Sequence, residues 1–194
     1  MEIHLKKWDV PDSLITTFDW WDSLILDDIE IIAAPAQHFS GRGIFDRQQT
    51  LWASYILKSN GKTIYFSGDT GYSDHLKQIG DKYGPIDLAF IETGQYNEDW
   101  REVHLMPYEW SKAYNDLQAK RYFPIHWGMF SLSFDPWYRP IIDVIQESEK
   151  NDFNLITSKL GQIDTIGSEK NNIQMWKNFI KKYLKSEKAD IKEV

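Results

Sequence analysis

The chain has 194 residues, enough for one globular domain with a buried core. It contains no cysteine, so disulfide bonds and thiolate metal sites are excluded. Hydrophobic residues make up 42% of the chain and aromatic residues 15%, and this composition excludes a disordered protein. The formal net charge of −7 argues against a broad nucleic-acid-binding surface. The N-terminal residues lack the apolar run of a secretory signal, and no stretch approaches the ~20 apolar residues of a transmembrane segment. We therefore expect a cytoplasmic protein with no nucleic-acid partner and no transmembrane segment.

Short runs rich in β-branched and aromatic residues predict seven strands along the chain. The Asn60-Gly61 pair is typical of a hairpin turn, so the strands on either side of it should be antiparallel neighbours. The predicted strands cover residues 13–18, 29–34, 51–58, 63–67, 88–92, 121–125 and 163–166.

Four helices are predicted from apolar residues that recur at helical spacing. The first covers residues 73–83 and ends at Gly84-Pro85, the second begins at Pro107, and the third begins at Pro140. A C-terminal amphipathic helix is predicted at about residues 168–185, with a lysine face that we interpret as solvated. No repeat or linker interrupts this pattern, so we predict a single α/β (α+β) domain over residues 1–194.

Three of the predicted strands each lead into a residue that can bind a metal ion. His38, Asp69 and His126 follow separate strands, and small residues lie beside each of them. Loops at strand ends are where α/β folds place their chemistry, and imidazole with carboxylate suits zinc, with manganese or iron possible. Taken singly, each histidine is better explained as a hydrogen-bonded structural residue, and Asp69 as a turn or helix-cap residue. The three together predict a metal site.

His104 precedes the helix that begins at Pro107, and it is a candidate to polarise or protonate a substrate atom. A histidine in a surface loop explains the same position. His75 and His4 are interpreted as core or solvent-exposed residues rather than ligands.

The chain resembles the metallo-β-lactamase-fold hydrolases, and most closely the N-acylphosphatidylethanolamine phospholipase D type, in six segments that occur in this order: AQHFSGRG, LWASYIL, FSGDTGY, GPIDLAFIETGQYN, VHLMP and IHWGMF. The resemblance implies an αβ/βα sandwich with two zinc ions at the edge of the sheets. It implies His38, Asp69 and His126 as metal ligands, with Asp69 bridging both ions, and it implies Asp69 and His104 as catalytic residues. It also implies a metal-dependent hydrolase that activates water against a small-molecule or lipid-like substrate, namely a phosphodiester, lactone or related ester.

The H-x-H-x-D-H segment that is the signature of these enzymes does not occur in this sequence. We therefore expect the chain to correspond to the C-terminal two-thirds of the family domain, truncated at its N-terminus, with weak metal affinity and impaired or no activity. Missing strands would leave apolar sheet surface exposed, which predicts a homodimer. The alternative function is a non-catalytic module of the same fold that self-associates or binds a partner.

Overall fold

The computed structural model describes residues 2–41 and 45–190, and of residues 184–190 it describes only the helical backbone. The strands are β1 (Ser23–Leu26), β2 (Ile29–Pro35), β3 (Ala53–Ser59), β4 (Lys62–Phe66), β5 (Leu88–Glu92) and β6 (Tyr122–Ile125). The helices are α1 (Glu2–Lys7), α2 (His75–Tyr83), α3 (Pro107–Asp116), α4 (Arg139–Asn151) and α5 (Ile173–Asp190), with short 3-10 turns at Asp12–Leu14 and Glu98–Trp100.

The six strands form one mixed sheet in the order β1-β2-β3-β4-β5-β6. Strands β1 to β4 are antiparallel neighbours, whereas β4, β5 and β6 are parallel. The predicted hairpin at Asn60-Gly61 is confirmed: it joins β3 to β4, and both turn residues have positive φ, as this turn type requires. Because β2 runs in the same direction as β4, the C-terminal ends of β2, β4, β5 and β6 all lie at one edge of the sheet.

One face of the sheet is buried beneath the helices. Residues of β2 to β6, such as Ile56 on β3 and Tyr65 on β4, point to this face and are fully buried, whereas all four residues of β1 are exposed. Helices α2, α3 and α4 pack on it through Ile79, Trp110 and Val144, also fully buried. Each such side chain stabilises the fold by roughly 1.5–3 kcal/mol through loss of apolar surface to water. This layer holds the sheet edge rigid.

The opposite face carries a row of aromatic side chains that cross four strands. Tyr55 pairs with Phe66 across β3 and β4, Phe66 with Phe90, and Phe90 with Phe123. The ring centroids of Phe66 and Phe90 lie 6.3 Å apart and those of Phe90 and Phe123 lie 5.1 Å apart. Tyr55 and Phe66 are both 41% exposed. We call these four residues the aromatic row.

Two predicted strands are wrong. Residues 13–18 form a 3-10 turn followed by extended chain without strand pairing. Residues 163–166 lie in a loop, where Ile163 is 94% exposed and the Asp164 carboxylate accepts hydrogen bonds from Ser158 and Gln162. Polar side chains that bond within a loop remove the drive to pair in a sheet.

The C-terminal helix starts at Ile173, five residues after the predicted start. The Asn171 side chain accepts a hydrogen bond from the Ile173 N–H and so caps the first turn, while residue 170 is held in the preceding loop by Asp164. Strand β1 and helix α1 were not predicted, because each is too short to show a period. Among the described residues, no helix is long and apolar enough to cross a membrane.

Candidate metal site

The shared strand direction brings four side chains with metal-binding chemistry to one edge of the sheet. His38 follows β2, Asp69 follows β4, Glu92 ends β5, and His126 follows β6. His104 joins them from the loop between the Glu98–Trp100 turn and α3. These side chains come from a stretch of 89 residues, His38 to His126, and lie together because strands that run in the same direction end at the same edge of the sheet.

The loop that carries Asp69 depends on its two glycines. Gly68 has a φ of +59°, and a Cβ there would lie 3.2 Å from the Ala53 carbonyl oxygen. A Cβ on Gly71 would lie 2.7 Å from the carbonyl oxygen of Glu102, in the loop that leads to His104. The glycines therefore let the Asp69 loop turn and let the His104 loop approach its backbone closely.

His126 stands between two carboxylates. Its Nε2 lies 3.4 Å from Oδ1 of Asp69, and its Nδ1 lies 3.4 Å from Oε1 of Glu92. The residue has a φ of +64°, an uncommon backbone conformation for any residue other than glycine and one that clusters at functional sites. The hydrogen bond with Glu92 raises the pKa of His126; burial opposes this effect, and the charge of Asp69 adds to it.

Glu92 is the residue that sequence reasoning missed. Its side chain is fully buried, and its Oε1 contacts Nδ1 of both His104, at 3.2 Å, and His126. The same carboxylate accepts the N–H of Gly94 at 2.9 Å and that of Leu105 at 3.0 Å. Burial works to raise the pKa of Glu92, but the hydrogen bonds from the two histidines outweigh it and leave the pKa below its ordinary value. Glu92 is therefore ionised at neutral pH.

The signal for Glu92 was present in the sequence. An acidic residue closes the apolar strand LAFIE and is followed by a small pair, Thr93-Gly94, in the same way that small residues follow the other strand ends. Gly94 is required by the site itself, since a Cβ there would lie 2.5 Å from Glu92 Oε1 and 2.6 Å from His126 Nδ1.

Oxygen acceptors at Nδ1 fix the tautomer of three imidazoles. A carboxylate oxygen cannot donate, so Nδ1 of His104 and of His126 must carry the hydrogen in each contact with Glu92. Nδ1 of His38 likewise lies 2.9 Å from the Phe39 carbonyl oxygen. Each neutral ring then has its lone pair on Nε2, which is the arrangement in which an oxygen-bonded histidine acts as a metal ligand.

The rings are neighbours in a row. The His38 and His104 centroids lie 5.6 Å apart, edge to face, and the His104 and His126 rings stack with centroids 5.5 Å apart. Asp69 contacts the outer nitrogen of His126 and lines the same cavity as His38. All four residues named from the sequence thus lie around one edge, with Glu92 behind them.

Candidate ligand atoms for a divalent metal ion come together in two places, of which one is accessible. Glu92, His104 and His126 offer ligand atoms within 4.8 Å of one another. However, Glu92 is fully buried and already accepts four N–H groups, which leaves little capacity for an ion. The accessible place lies between Asp69 and His126, whose side chains are 48% and 36% exposed. Two ligands of a tetrahedral ion with bonds of about 2.0–2.1 Å lie about 3.3–3.4 Å apart, close to the 3.4 Å between Oδ1 and Nε2.

Two cavities flank this place. One, of about 660 Å³, is lined by His38 and Asp69 together with Phe39, Trp52 and Tyr55. The other, of about 740 Å³, reaches from His126 along the open sheet face and is lined mainly by apolar side chains, among them Phe90, Phe123, Ile125, Trp137 and Trp176. The candidate ligands are therefore divided between a cavity of mixed lining, which contains His38 and Asp69, and a mainly apolar cavity, which contains His126.

Comparison with known proteins identifies relatives of the chain. The family model described as "Beta-lactamase superfamily domain" matches residues 2–127. An uncharacterized protein of Mycobacterium tuberculosis is 36% identical over 168 residues, covering 84% of this chain and 45% of that protein. The N-acyl-phosphatidylethanolamine-hydrolyzing phospholipase D 1 of Caenorhabditis elegans is 30% identical over 180 residues, covering 83% of this chain and 51% of that enzyme. The chain thus spans about half the length of these curated relatives.

A solved structure supports the fold. The metallo hydrolase Igni18 from Ignicoccus hospitalis superposes with a TM-score of 0.60 at 18% identity, covering 83% of this chain and 64% of that protein. The chain therefore has the metallo-β-lactamase fold, and it belongs to the beta-lactamase superfamily domain family.

Proposed function

We propose that the chain is a metal-dependent hydrolase with zinc as its metal, acting on a phosphodiester, lactone or related ester that carries a lipid-like group. The observation that carries the proposal is the contact between Asp69 Oδ1 and His126 Nε2, backed by the buried Glu92 carboxylate on the far side of the imidazole. A carboxylate behind a ligating histidine raises its basicity and fixes its orientation.

Asp69 and His126 would hold the ion, and His38, which lines the same cavity as Asp69, is the third candidate ligand. When bound, the zinc would supply a Lewis acid and lower the pKa of a bound water. Asp69 has two carboxylate oxygens, and the second would be the group available to a second ion if one bound.

His104 is the proposed acid–base residue. Glu92 holds its Nδ1–H, so Nε2 is free to accept a proton from the attacking water and to return it to the leaving group. The ionised carboxylate stabilises the imidazolium that forms in between, as in other carboxylate–histidine pairs.

The apolar cavity beside His126 supports the choice of a lipid-like substrate. Its volume of about 740 Å³ and its Phe, Ile and Trp lining suit an acyl or other hydrocarbon group. The C. elegans relative is named for hydrolysis of a phospholipid, which points the same way.

Calorimetric titration with zinc tests the metal, and hydrolysis of a chromogenic phosphodiester and a chromogenic carboxylic ester tests the reaction. We expect one ion per chain, bound more weakly than in a four-ligand structural site. Asp69→Asn should lower the affinity, whereas Asp81→Asn, another exposed carboxylate that pairs with a single lysine, should not. Hydrolysis should be weak or absent, because few ligands hold the ion; chelator should abolish any that is measured, and comparison of zinc, manganese and iron in restoring it identifies the metal. Equal zinc affinity in Asp69→Asn and the wild type would refute the site.

A second candidate function is self-association as a homodimer, with or without hydrolysis. The exposed members of the aromatic row, Tyr55 and Phe66, support it, because exposed neighbouring aromatic side chains are a feature of interaction surfaces. Light scattering should give twice the mass of the 22.9 kDa chain. Phe66→Asp should return the mass to one chain, whereas Tyr108→Asp, an exposed aromatic residue on α3, should not. A wild-type mass of one chain would exclude the dimer.

A further inference from the structure

Two hydrogen bonds join the loop of His38 to the loop of Asp69. The Gln37 N–H donates to Oγ1 of Thr70 at 2.8 Å, and the Gly71 N–H donates back to the Gln37 carbonyl at 2.8 Å. Thr70 is fully buried. These two bonds, which we call the loop clasp, lie within two residues of both candidate ligands.

His75, at the start of α2, orients the Thr70 hydroxyl. Oγ1 of Thr70 donates its single hydrogen to the Gly71 carbonyl at 2.9 Å, so the 3.3 Å contact with His75 Nε2 requires the imidazole to be the donor. Nδ1 of His75 is then an acceptor, and Ser73 Oγ lies 2.6 Å from it. In this series of hydrogen bonds, each donor therefore faces an acceptor.

The charge state of His75 agrees with this assignment. Burial lowers its pKa to about 4, so the ring stays neutral over the physiological range. A neutral ring has one donor and one acceptor nitrogen, as the two contacts demand. His75 therefore serves the loops as a fixed hydrogen-bonding group rather than as an acid.

We propose that Thr70, oriented by His75, is a positioning residue that sets the separation of His38 and Asp69. The proposal rests on the proposed function in taking these two side chains as metal ligands. Thr70 is buried and its hydroxyl bonds to the loop of His38, so its effect on the two ligands is transmitted by the loops that carry them. Ligands must be held within about 0.5 Å of their productive positions, so a clasp between their loops bears directly on metal affinity.

Thr70→Val keeps the shape of the side chain and removes its hydrogen bonds, whereas Thr70→Ser keeps them. In the metal-free protein, hydrogen exchange at the Gln37 and Gly71 amides should become faster in Thr70→Val and stay slow in Thr70→Ser. Zinc affinity should fall 10- to 100-fold in Thr70→Val, the range found when groups behind metal ligands are removed. Thr70→Ser should bind zinc within a few-fold of the wild type.

Ser148→Ala is the matched control. Ser148 is a buried hydroxyl on α4 that donates to the Ile145 carbonyl at 2.8 Å, so its loss costs stability of the same kind. It should leave zinc affinity and both amides unchanged. If Thr70→Val lost stability like Ser148→Ala while its zinc affinity held, Thr70 would be merely structural and the proposal overturned. If the wild type bound no zinc, the proposed function would fail. Independently of zinc, unchanged hydrogen exchange at the Gly71 amide in Thr70→Val would overturn the loop clasp.

Discussion

Replacing Glu92 by glutamine tests the arrangement behind the candidate metal site most directly. The substitution preserves the shape of the side chain and removes its charge. The carboxylate accepts four N–H groups, three at Oε1 and one at Oε2, whereas a glutamine amide offers one oxygen and one NH₂ group. No orientation of the amide can satisfy all four donors.

The less costly orientation leaves the amide oxygen facing His104 and His126 and turns the NH₂ group toward the Leu105 N–H. Two buried donors that face each other cost about 1–3 kcal/mol, and each histidine contact loses about 1 kcal/mol when its acceptor is no longer charged. Relief from burying a charge offsets part of this loss. We expect a net destabilisation of about 3 kcal/mol at neutral pH, which is tolerable within a typical stability of about 5–15 kcal/mol.

Urea unfolding measures this difference, and zinc titration measures its consequence. Zinc affinity should fall 10- to 100-fold, because the Nδ1–H groups lose the charged acceptor that orients both rings. Asp143→Asn is the control: Asp143 is a buried carboxylate that accepts from Tyr96 and Arg139 on the helical side, so it should lose stability and retain zinc affinity.

The pH dependence gives an independent check. The pKa of Glu92 is depressed in the folded state, so the stabilisation that its charge provides is present above its unfolded pKa of about 4.5 and is lost as the pH falls through its folded pKa. The gap in stability between wild type and Glu92→Gln should therefore be constant above pH 4.5 and close as the pH falls through the lower, folded pKa of Glu92. A gap that is absent at pH 7, or zinc affinity that survives the substitution, would show that Glu92 does not hold the two imidazoles.

Three further predictions concern other parts of the chain. Gly94→Ala should weaken zinc binding and destabilise the fold by about 1–3 kcal/mol in urea unfolding, because the new Cβ would push Glu92 and His126 apart; an unchanged crystal structure at His126 would contradict this. The pKa of His75 is about 4 in the folded chain and about 6.5 in the unfolded chain, so protonation favours unfolding as the pH falls below about 6.5. The wild type should therefore lose about 2 kcal/mol of stability from this residue by pH 5. In urea unfolding at several pH values, His75→Gln should lack this part of the fall in stability with pH. Trp176 packs edge to face on Trp127, and its buried N–H has no hydrogen-bond partner among the residues that the structure describes. Trp176→Phe should therefore be nearly neutral in urea unfolding, whereas Trp176→Ala should cost about 3 kcal/mol, and similar losses for the two would contradict this.

Local sequence patterns were sufficient for most of the fold. The strand over residues 88–92 was predicted with its bounds as observed, and the Asn60-Gly61 turn fixed the pairing of β3 with β4. These features depend on residues close together in the chain, whose side-chain alternation and turn preferences act locally. The failures at residues 13–18 and 163–166 have the converse cause, since neither segment pairs with a strand in the part of the chain that the structure describes.

The sequence by itself determined which kinds of side chain stand at the strand ends, because His38, Asp69 and His126 follow recognisable strands and small residues. Only the tertiary structure decided how they are held. Glu92 lies beside the two histidines because the parallel strands β4, β5 and β6 end at the same edge of the sheet. Its acceptor oxygen determines that Nδ1 of His104 and of His126 carries the hydrogen. A tautomer depends on the partner across a hydrogen bond, and that partner lies 12 and 34 residues away in sequence, beyond the reach of any local pattern.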